Sequence, residues 1–268
     1  MKLAAFDLEI AKEVDGPDWQ GQRPLGISCA AVAFPIGNPG GPGRMIWNDL
    51  MWFAGDDWTN QPAAGPMTRH QCEQIVRDLQ NMVTDGTMLV TVNGLGFDFA
   101  ILAEESGMAV ACADLAANHH CDLMLMSVCR HGWPVGLDAL AAGMGVQGKL
   151  HNVTLRDGTA LDDMSGARAP QLWAAGEFEA VLDYLKDDVR STMEIAVAAV
   201  GLGRLRWQSR KGRWWEVQLP AALGGGYRLP AVAEMLQWPR PDTSWMSEPM
   251  DPDELGAWAV AALAGQME

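Results

Sequence analysis

The order of strand-like and helix-like segments is the feature that most constrains how this chain can fold. The first fifty residues hold three short apolar segments with the pattern of strands, KLAAFDLEIA, LGISCAAVAF and RMIWNDL. Because their polar or Pro/Gly-rich connections are short, they favour an antiparallel meander. A helix pattern, a buried strand (MLVTVN) and a second helix (FDFAILAEESGM) follow, which indicates strands added in parallel. The sequence therefore predicts an α/β fold with a mixed sheet flanked by helices.

Acidic residues stand at the ends of two of these buried segments. Asp7 and Glu9 lie two apart in the first strand pattern, so both side chains face the same side of the strand. Like charges held this close raise each other's pKa unless a cation lies between them. Asp98 follows the strand MLVTV and a glycine-containing turn, at the start of a helix. Taken alone, a solvated strand-end pair and a helix-capping aspartate are the simpler explanations of these positions.

A further acidic residue lies on a long helix pattern, EFEAVLDYLKDDVRSTMEIAVAAVG. At about 100° per residue, the apolar residues of this segment form one arc. Tyr184 and Asp188 are four apart and lie together at the edge of that arc. Asp187 falls on the side predicted to face solvent. An inward aspartate beside a tyrosine can serve a site, although an ordinary surface pair explains the pattern as well.

Taken together and in order, these motifs resemble those of the DEDD superfamily of 3′–5′ exonucleases. The three motifs of that family correspond to FDLE (Asp7, Glu9), N-x3-F-D (Asn93, Phe97, Asp98) and Y-x3-D (Tyr184, Asp188). The tyrosine subclass is indicated, since Asp183 stands where the other subclass has a histidine. The segments LDALAAGMGVQGK and APQLWAAGEFEAVLDYLKDDVRST look like the stand-alone polymerase-B-type exonuclease branch. The resemblance covers roughly residues 1 to 200 and implies a ribonuclease-H-like fold.

The resemblance implies a two-metal hydrolase with Mg²⁺ or Mn²⁺ as its cofactors. Asp7 would bridge both ions, with Glu9 and Asp188 at one of them and Asp98 at the other, largely through water. Tyr184 would orient the attacking water rather than remove its proton, because a free tyrosine titrates at about 10. The implied reaction is hydrolysis of single-stranded nucleic acid, with DNA favoured, from the 3′ end to nucleoside 5′-monophosphates.

Contacts to the terminal nucleotide are expected from Asn93, Phe97 and the backbone around Ile10. Core packing explains Phe97 equally well. Lys149 is a candidate phosphate contact, although an exposed loop lysine is the simpler interpretation. Asp122 is expected to cap or orient an element rather than to bind metal. A polymerase, or a replication or repair complex, is a partner that the resemblance allows.

The charge distribution separates the last part of the chain from the rest. The net charge of −15 argues against tight non-specific binding to duplexes. Two bound cations would reverse the sign at the acidic site. Five of the nineteen Lys and Arg residues lie between Arg204 and Arg213, with no acid among them. We predict a ribonuclease-H-like exonuclease domain over residues 1–203 and a Trp/Arg/Pro-rich extension over 204–268 that packs on it. Within the extension, RLRWQSRKGRWWEV is predicted to be a hairpin that presents arginines and Trp214 or Trp215 to a single strand.

Two other functions stay open from the sequence. One is a catalytically silent nucleic-acid-binding or regulatory module of the same fold. The other is a zinc hydrolase built on a cluster that lacks the usual close ligand pairs; its members are Cys112, His119, His120, Cys121, Cys129 and His131. The five cysteines show no CxxC pair, and no apolar run approaches the length of a membrane span, so a cytoplasmic protein with reduced thiols is expected.

Overall fold

The computed structural model of the protein describes residues 2–16, 18–36, 46–56 and 61–265. The Pro/Gly-rich turn predicted between the second and third strands falls largely at 37–45, outside the described residues.

The described residues form eleven strands, nine α-helices and one short 3-10 helix (Gln20–Gln22). The strands are β1 (Lys2–Ile10), β2 (Ile27–Ile36), β3 (Ile46–Phe53), β4 (Gly55–Asp56), β5 (Gln61–Pro62), β6 (Thr87–Thr91), β7 (His120–Asp122), β8 (Val153–Thr154), β9 (Ala160–Leu161), β10 (Arg204–Gln208) and β11 (Trp214–Gln218). The helices are α1 (Arg69–Thr84), α2 (Asp98–Ser106), α3 (Ala109–Asn118), α4 (Leu123–His131), α5 (Leu137–Met144), α6 (Ala169–Ala174), α7 (Phe178–Leu202), α8 (Val232–Met235) and α9 (Pro252–Leu263).

The central sheet is mixed, with the strand order β3-β2-β1-β6-β7. The pairs β1–β2 and β2–β3 are antiparallel, as the short connections predict. The pairs β1–β6 and β6–β7 are parallel. Helices flank this sheet, and α7 packs across β1 and β2. The predicted fold class, a ribonuclease-H-like mixed sheet of a meander plus parallel strands, is confirmed.

Small side chains on β2 leave room for the long helix. Ala31 and Ala33 share one face of the strand and are fully buried, and α7 packs against β2. Close packing of a helix on a sheet requires such complementary volumes. The helix is thereby held with its middle turns, which carry Tyr184 and Asp188, near the end of β1.

Helix boundaries follow the local signals where those exist. Thr68 caps α1 in a reciprocal capping box with Gln71, and Gly86 takes a positive φ of 81° just beyond the helix. The stretch between α2 and α5, which has no clear period in the sequence, holds α3, β7 and α4.

The extension contains the predicted hairpin and touches the body of the fold. Strands β10 and β11 pair in antiparallel register, with Lys211 and Gly212 in the turn. Helix α9 packs on α3, and the indole N–H of Trp258 donates to the carbonyl oxygen of Leu95 at 2.7 Å. The division of the chain at residue 203 stays a prediction.

None of the helices in the described ranges is long and apolar enough to cross a membrane. The cytoplasmic location stays a prediction.

Candidate active site

The first two acidic residues lie at the end of β1, where the strand pairing is irregular. Glu9 pairs with Cys29 but Ile10 with Ile27, so Ser28 forms a bulge opposite this step. The Ser28 hydroxyl donates to the carbonyl oxygens of Glu9 and Ile10 at 3.0 and 3.2 Å. Bulges often redirect side chains beside functional sites. Ile10 is buried, so any contact it makes with a substrate would come from its backbone.

Asp98 meets Asp7 across the parallel pair of strands. The carboxyl ends of β1 and β6 lie at the same edge of the sheet, because these strands run parallel. The Leu8 amide donates to Oδ1 of Asp7 at 2.9 Å and to Oδ1 of Asp98 at 3.2 Å. Two carboxyl groups that are ninety-one residues apart in the chain therefore share one donor.

Burial raises the pKa of all three carboxyl groups on this side, and repulsion adds to the shift of Glu9 and Asp98. Burial raises the pKa of Asp7, although Lys149 opposes the change. The pKa of Asp98 lies well above its ordinary range because of burial and then the charge of Asp7. Glu9, which is 6% exposed, has its pKa raised well above the usual range by burial and by the charges of Asp7 and Asp188. Each of these carboxylates needs a proton or a cation beside it.

Helix α7 brings the last two residues to the same place. Tyr184 and Asp188 are both 1% exposed and lie one turn apart. Oδ2 of Asp188 is 2.5 Å from Nζ of Lys149, and the same ammonium group donates to the Tyr184 hydroxyl at 2.9 Å. Oδ1 of Asp188 is buried and has no hydrogen-bond partner among the described residues. Burial raises the pKa of Asp188 to about 7, against the attraction of Lys149.

Asp187, predicted to face solvent, is instead half-buried. Burial raises its pKa, and its carboxylate accepts a hydrogen bond from the Leu150 backbone. The segment after α5 folds over this side of α7, which the periodicity of the helix alone does not reveal. The inward position predicted for Asp188 agrees with its burial.

Lys149 has more contacts with the candidate site residues than its sequence context predicts. An exposed loop lysine was the simpler expectation, but its side chain is 31% exposed and contacts both Asp188 and Tyr184. Burial lowers the pKa of Lys149, but Asp188, Tyr184 and Asp7 outweigh that effect and raise it above the ordinary value. The group therefore stays cationic at neutral pH. Its neighbours in the chain are glycine and leucine, and neither signals this role.

Asp122 organises the loop that carries the second motif. Its carboxylate accepts N–H groups from Asn93 and Leu95 in that loop, both at 3.0 Å. It also accepts the amides of Met124 and Leu125 at the start of α4, at 2.9 and 3.1 Å. The expectation that Asp122 caps or orients an element agrees with these bonds. Asn93 adopts a φ of 76°, a left-handed conformation that asparagine tolerates better than most residues.

Replacing Asp122 by asparagine is expected to lower the free energy of unfolding by about 2–3 kcal/mol, since hydrogen bonds to a buried charged group are worth roughly 1.5–3 kcal/mol each and an amide keeps part of them. Urea unfolding measures the change. Asp162→Asn, at an exposed acid just after β9, is the control and should leave stability within about 0.5 kcal/mol of the parent. A loss no larger than that of the control would mean that the loop is held by other contacts.

Phe97 lies beside an aromatic residue that the sequence did not single out. Its ring meets Trp19 edge-on, with 5.0 Å between ring centroids. Both side chains are half-buried. Trp19 also borders a cleft of about 850 Å³ whose lining includes Arg23, Gly96 and Trp258. Trp19 stands in a polar loop, and an apolar ring in such a loop is the only sequence signal for it. The pair offers aromatic surface for a base.

The donor set can be tested for its fit to divalent cations. Mg²⁺ and Mn²⁺ prefer oxygen ligands, and the candidate ligands are all carboxylates. The unpartnered Oδ1 of Asp188 and the raised pKa values also fit a site that takes up a cation. In the described part of the chain, however, no three His, Cys, Asp or Glu side chains surround one metal position. The candidate ligands therefore have the right chemistry for these cations and lie near one another. Lys149 would have to release Asp188 for that carboxylate to bind a cation.

The candidate zinc cluster is not assembled. His120 contacts the Thr91 hydroxyl at 2.7 Å, His119 pairs with Asp114, and His131 lies among tryptophans. The five cysteines are buried free thiols, and no three potential ligands converge within the described ranges. The cluster is close in sequence only, because α3, β7 and α4 point its members in different directions. The zinc-hydrolase alternative is not supported.

Comparison with solved structures returns exonucleases at low similarity. Exonuclease I in its apo form is 12% identical at a TM-score of 0.35, covering 75% of this chain and 42% of that one. A moderately thermophilic exonuclease I from Methylocaldum szegediense is 13% identical at a TM-score of 0.30, and the match covers 75% of this chain and 40% of that one. The chain thus spans about two fifths of the length of these structures. At such values the likeness carries no functional argument. No family model and no curated protein matches the chain.

Proposed function

We propose that this protein is a metal-dependent 3′–5′ exonuclease of the tyrosine DEDD subclass. It hydrolyses single-stranded nucleic acid, with DNA favoured, to nucleoside 5′-monophosphates. The observation that carries the proposal is the meeting of buried carboxyl groups from three separate elements. Asp7 and Asp98 share the Leu8 amide, and Lys149 joins Asp188 and Tyr184 beside them.

The proposed ligands are Asp7, Glu9, Asp98 and Asp188. Two divalent cations held there would supply Lewis-acid activation of water and stabilise the charge that develops on the leaving 3′ oxygen. Asp7 is the candidate for contact with both ions, since it is adjacent to Asp98 and its charge acts on Glu9. Clustered carboxylates with raised pKa values are unstable when they are ionised without a partner, and a bound divalent cation removes this cost.

Tyr184 is proposed to orient the attacking water as a hydrogen-bond partner. Burial and the charge of Asp188 raise the pKa of its hydroxyl above the ordinary value, although Lys149 opposes the change. The hydroxyl therefore stays protonated at neutral pH and cannot serve as the base. Lys149 is positively charged and contacts Asp188. If Asp188 binds a metal cation instead, the ammonium group is free to contact the scissile phosphate.

Phe97, with Trp19, is proposed to hold the terminal base, and Asn93 to contact the terminal nucleotide. Aromatic stacking is tolerant of base identity, which suits an enzyme that removes nucleotides one after another. The backbone at Ile10 lies at the end of β1 next to Glu9 and completes the proposed contact set.

The test is digestion of 5′-labelled single-stranded DNA and RNA with Mg²⁺, with Mn²⁺ and with EDTA. We expect a ladder that shortens from the 3′ end, faster on DNA, and no products with EDTA. Asp188→Ala should abolish the ladder, and Asp162→Ala, at an exposed acid, is the control. Binding without cleavage under every metal would favour the silent binding module instead. An association with a polymerase or repair complex stays a prediction.

A further inference from the structure

The β10–β11 hairpin has one face anchored to the body and one face turned outward. Trp207 and Trp215 pair opposite each other in the ladder. Trp207 is buried, and Trp215 packs against His131 and Trp133 with ring centroids 5.0 and 4.8 Å away. Trp214 follows on the opposite face, because side chains alternate along a strand, and it is 54% exposed. Trp215 therefore anchors the hairpin, and Trp214 is the ring available to a ligand.

Positive charge surrounds the exposed ring. The Arg206 guanidinium lies 5.1 Å from the centroid of the Trp214 ring. Arg210 and Lys211 are exposed in the adjoining turn, and the exposed Arg213 has its guanidinium 4.0 Å from the centroid of the Trp215 ring. We call Arg206, Arg210, Lys211, Arg213 and Trp214 the hairpin surface.

These cations are not neutralised within the protein. In the parts of the chain that the structure covers, no acidic side chain forms an ion pair with the four basic residues of the hairpin surface, whereas Arg204 nearby pairs with Glu216 at 3.4 Å. In a chain with a net charge of −15, a local group of basic side chains without acidic partners beside an exposed tryptophan is the exception. A polyanion with flat aromatic groups is the complementary partner.

Helix α5 links the hairpin surface to the candidate active site. At its first turn, the Asp138 carboxylate accepts the backbone N–H of Lys149 at 2.9 Å. At its last turn, the carbonyl oxygen of Gly143 accepts a hydrogen bond from Arg206 Nε at 3.0 Å. Eight residues of helix span about 12 Å. A strand whose 3′ end lies by Lys149 would reach the hairpin within a few nucleotides.

We propose that the hairpin surface binds the single strand upstream of the 3′ end that is being hydrolysed. Phosphates contact the four basic side chains, and a base stacks on Trp214. This inference rests on the proposed function for the direction of the strand, but the binding itself is separable from hydrolysis. It assigns the extension a role in holding long substrates, beyond the terminal contacts at Phe97.

The test measures binding to a fluorescent oligothymidylate of about 20 nucleotides, longer than the roughly 4–16 nucleotides that one such fold covers. EDTA prevents hydrolysis. For Arg210→Glu/Lys211→Glu/Arg213→Glu, we expect weaker binding and a smaller dependence of log K on log salt concentration, by about 2, since each phosphate contact to a single strand contributes roughly 0.7. Trp214→Ala should weaken binding about tenfold, and Trp214→Phe should retain most of it.

The matched control is Lys2→Glu/Arg69→Glu/Arg77→Glu, which makes the same change of net charge at exposed positions outside the hairpin. Weaker binding by the hairpin variants than by the control supports the inference. Equal binding by both triple variants, or equal binding by Trp214→Ala and the wild type, overturns it. Hydrolysis of the p-nitrophenyl ester of thymidine 5′-monophosphate by the wild type tests the proposed function separately, because this substrate has no upstream strand.

Discussion

Asp7→Asn is expected to lower the rate of 3′-end hydrolysis by more than about a hundredfold, because loss of even an outer partner of a metal ligand costs roughly 10- to 100-fold. The substitution removes the charge that raises the pKa values of the buried Glu9 and Asp98 carboxyls. The rate of ladder formation on labelled single-stranded DNA in saturating Mg²⁺ measures the effect. A ligand role also predicts a weaker apparent affinity for Mg²⁺.

The same substitution is expected to raise the melting temperature of the metal-free protein at neutral pH. Loss of solvation raises the pKa of the half-buried Asp7, so its ionised form opposes folding when no cation is present. Asparagine keeps an oxygen that can accept the Leu8 amide. Asp162→Asn should change neither property. If the Asp7→Asn variant keeps more than a tenth of the parent activity, Asp7 is not a metal ligand. If the variant melts at a lower temperature than the parent, Asp7 is a structural hydrogen-bond acceptor instead.

Two pairs of candidate site residues were recognisable from geometry within a single element, whereas Asp98 was recognised through the family resemblance. Asp7 and Glu9 share a face because strands alternate, and Tyr184 and Asp188 share one because helices repeat every 3.6 residues. The antiparallel and parallel directions of the strand pairs were predicted from short connections and from the later alternation of helix and strand. These relations need only the neighbours within one element, so a pattern in the chain is enough to predict them.

Contacts made by loops were not readable in the same way. Lys149 and Trp19 reach the candidate site from loops, Trp258 reaches it from the distant helix α9, and the partners of all three lie far away in the sequence. No spacing rule connects residue 149 to residue 188 or residue 258 to residue 95. Such contacts depend on the assembled fold, which is why an ordinary loop lysine was the simpler expectation.

Helix α4 shows a different reason for a missed element. All residues from Leu123 to Cys129 are buried, so the helix has no polar face on its first two turns. A helix buried all round lacks the periodic contrast by which a sequence reveals it. Asp122, which caps this helix and holds the loop of the second motif, was recognisable only as a capping residue.

Without divalent cations, the free energy of unfolding is expected to fall as the pH rises from about 4 to about 7. The pKa of Asp188 is about 7 in the folded protein, against an ordinary value of 3.8. In that window the folded protein binds more protons than the unfolded chain, so its stability is greatest below the window and is lost through it. Asp7, Glu9 and Asp98 are shifted in the same direction. For each group, one unit of difference between its pKa in the folded protein and its pKa in the unfolded chain changes the free energy of unfolding by about 1.4 kcal/mol.

Urea unfolding in EDTA at about pH 5 and about pH 8 measures this dependence, since the two values bracket the titration of Asp188. Asp188→Asn should reduce the difference by a few kcal/mol, whereas Asp162→Asn should leave it unchanged. Mg²⁺ or Mn²⁺ should restore stability at the higher pH, because a ligand that binds only the folded state stabilises it. A metal-free protein that is equally or more stable at the higher pH would show that Lys149 already neutralises the carboxyl group it contacts. The cation would then have to displace an ion pair, and the apparent affinity for Mg²⁺ would rise in Lys149→Met.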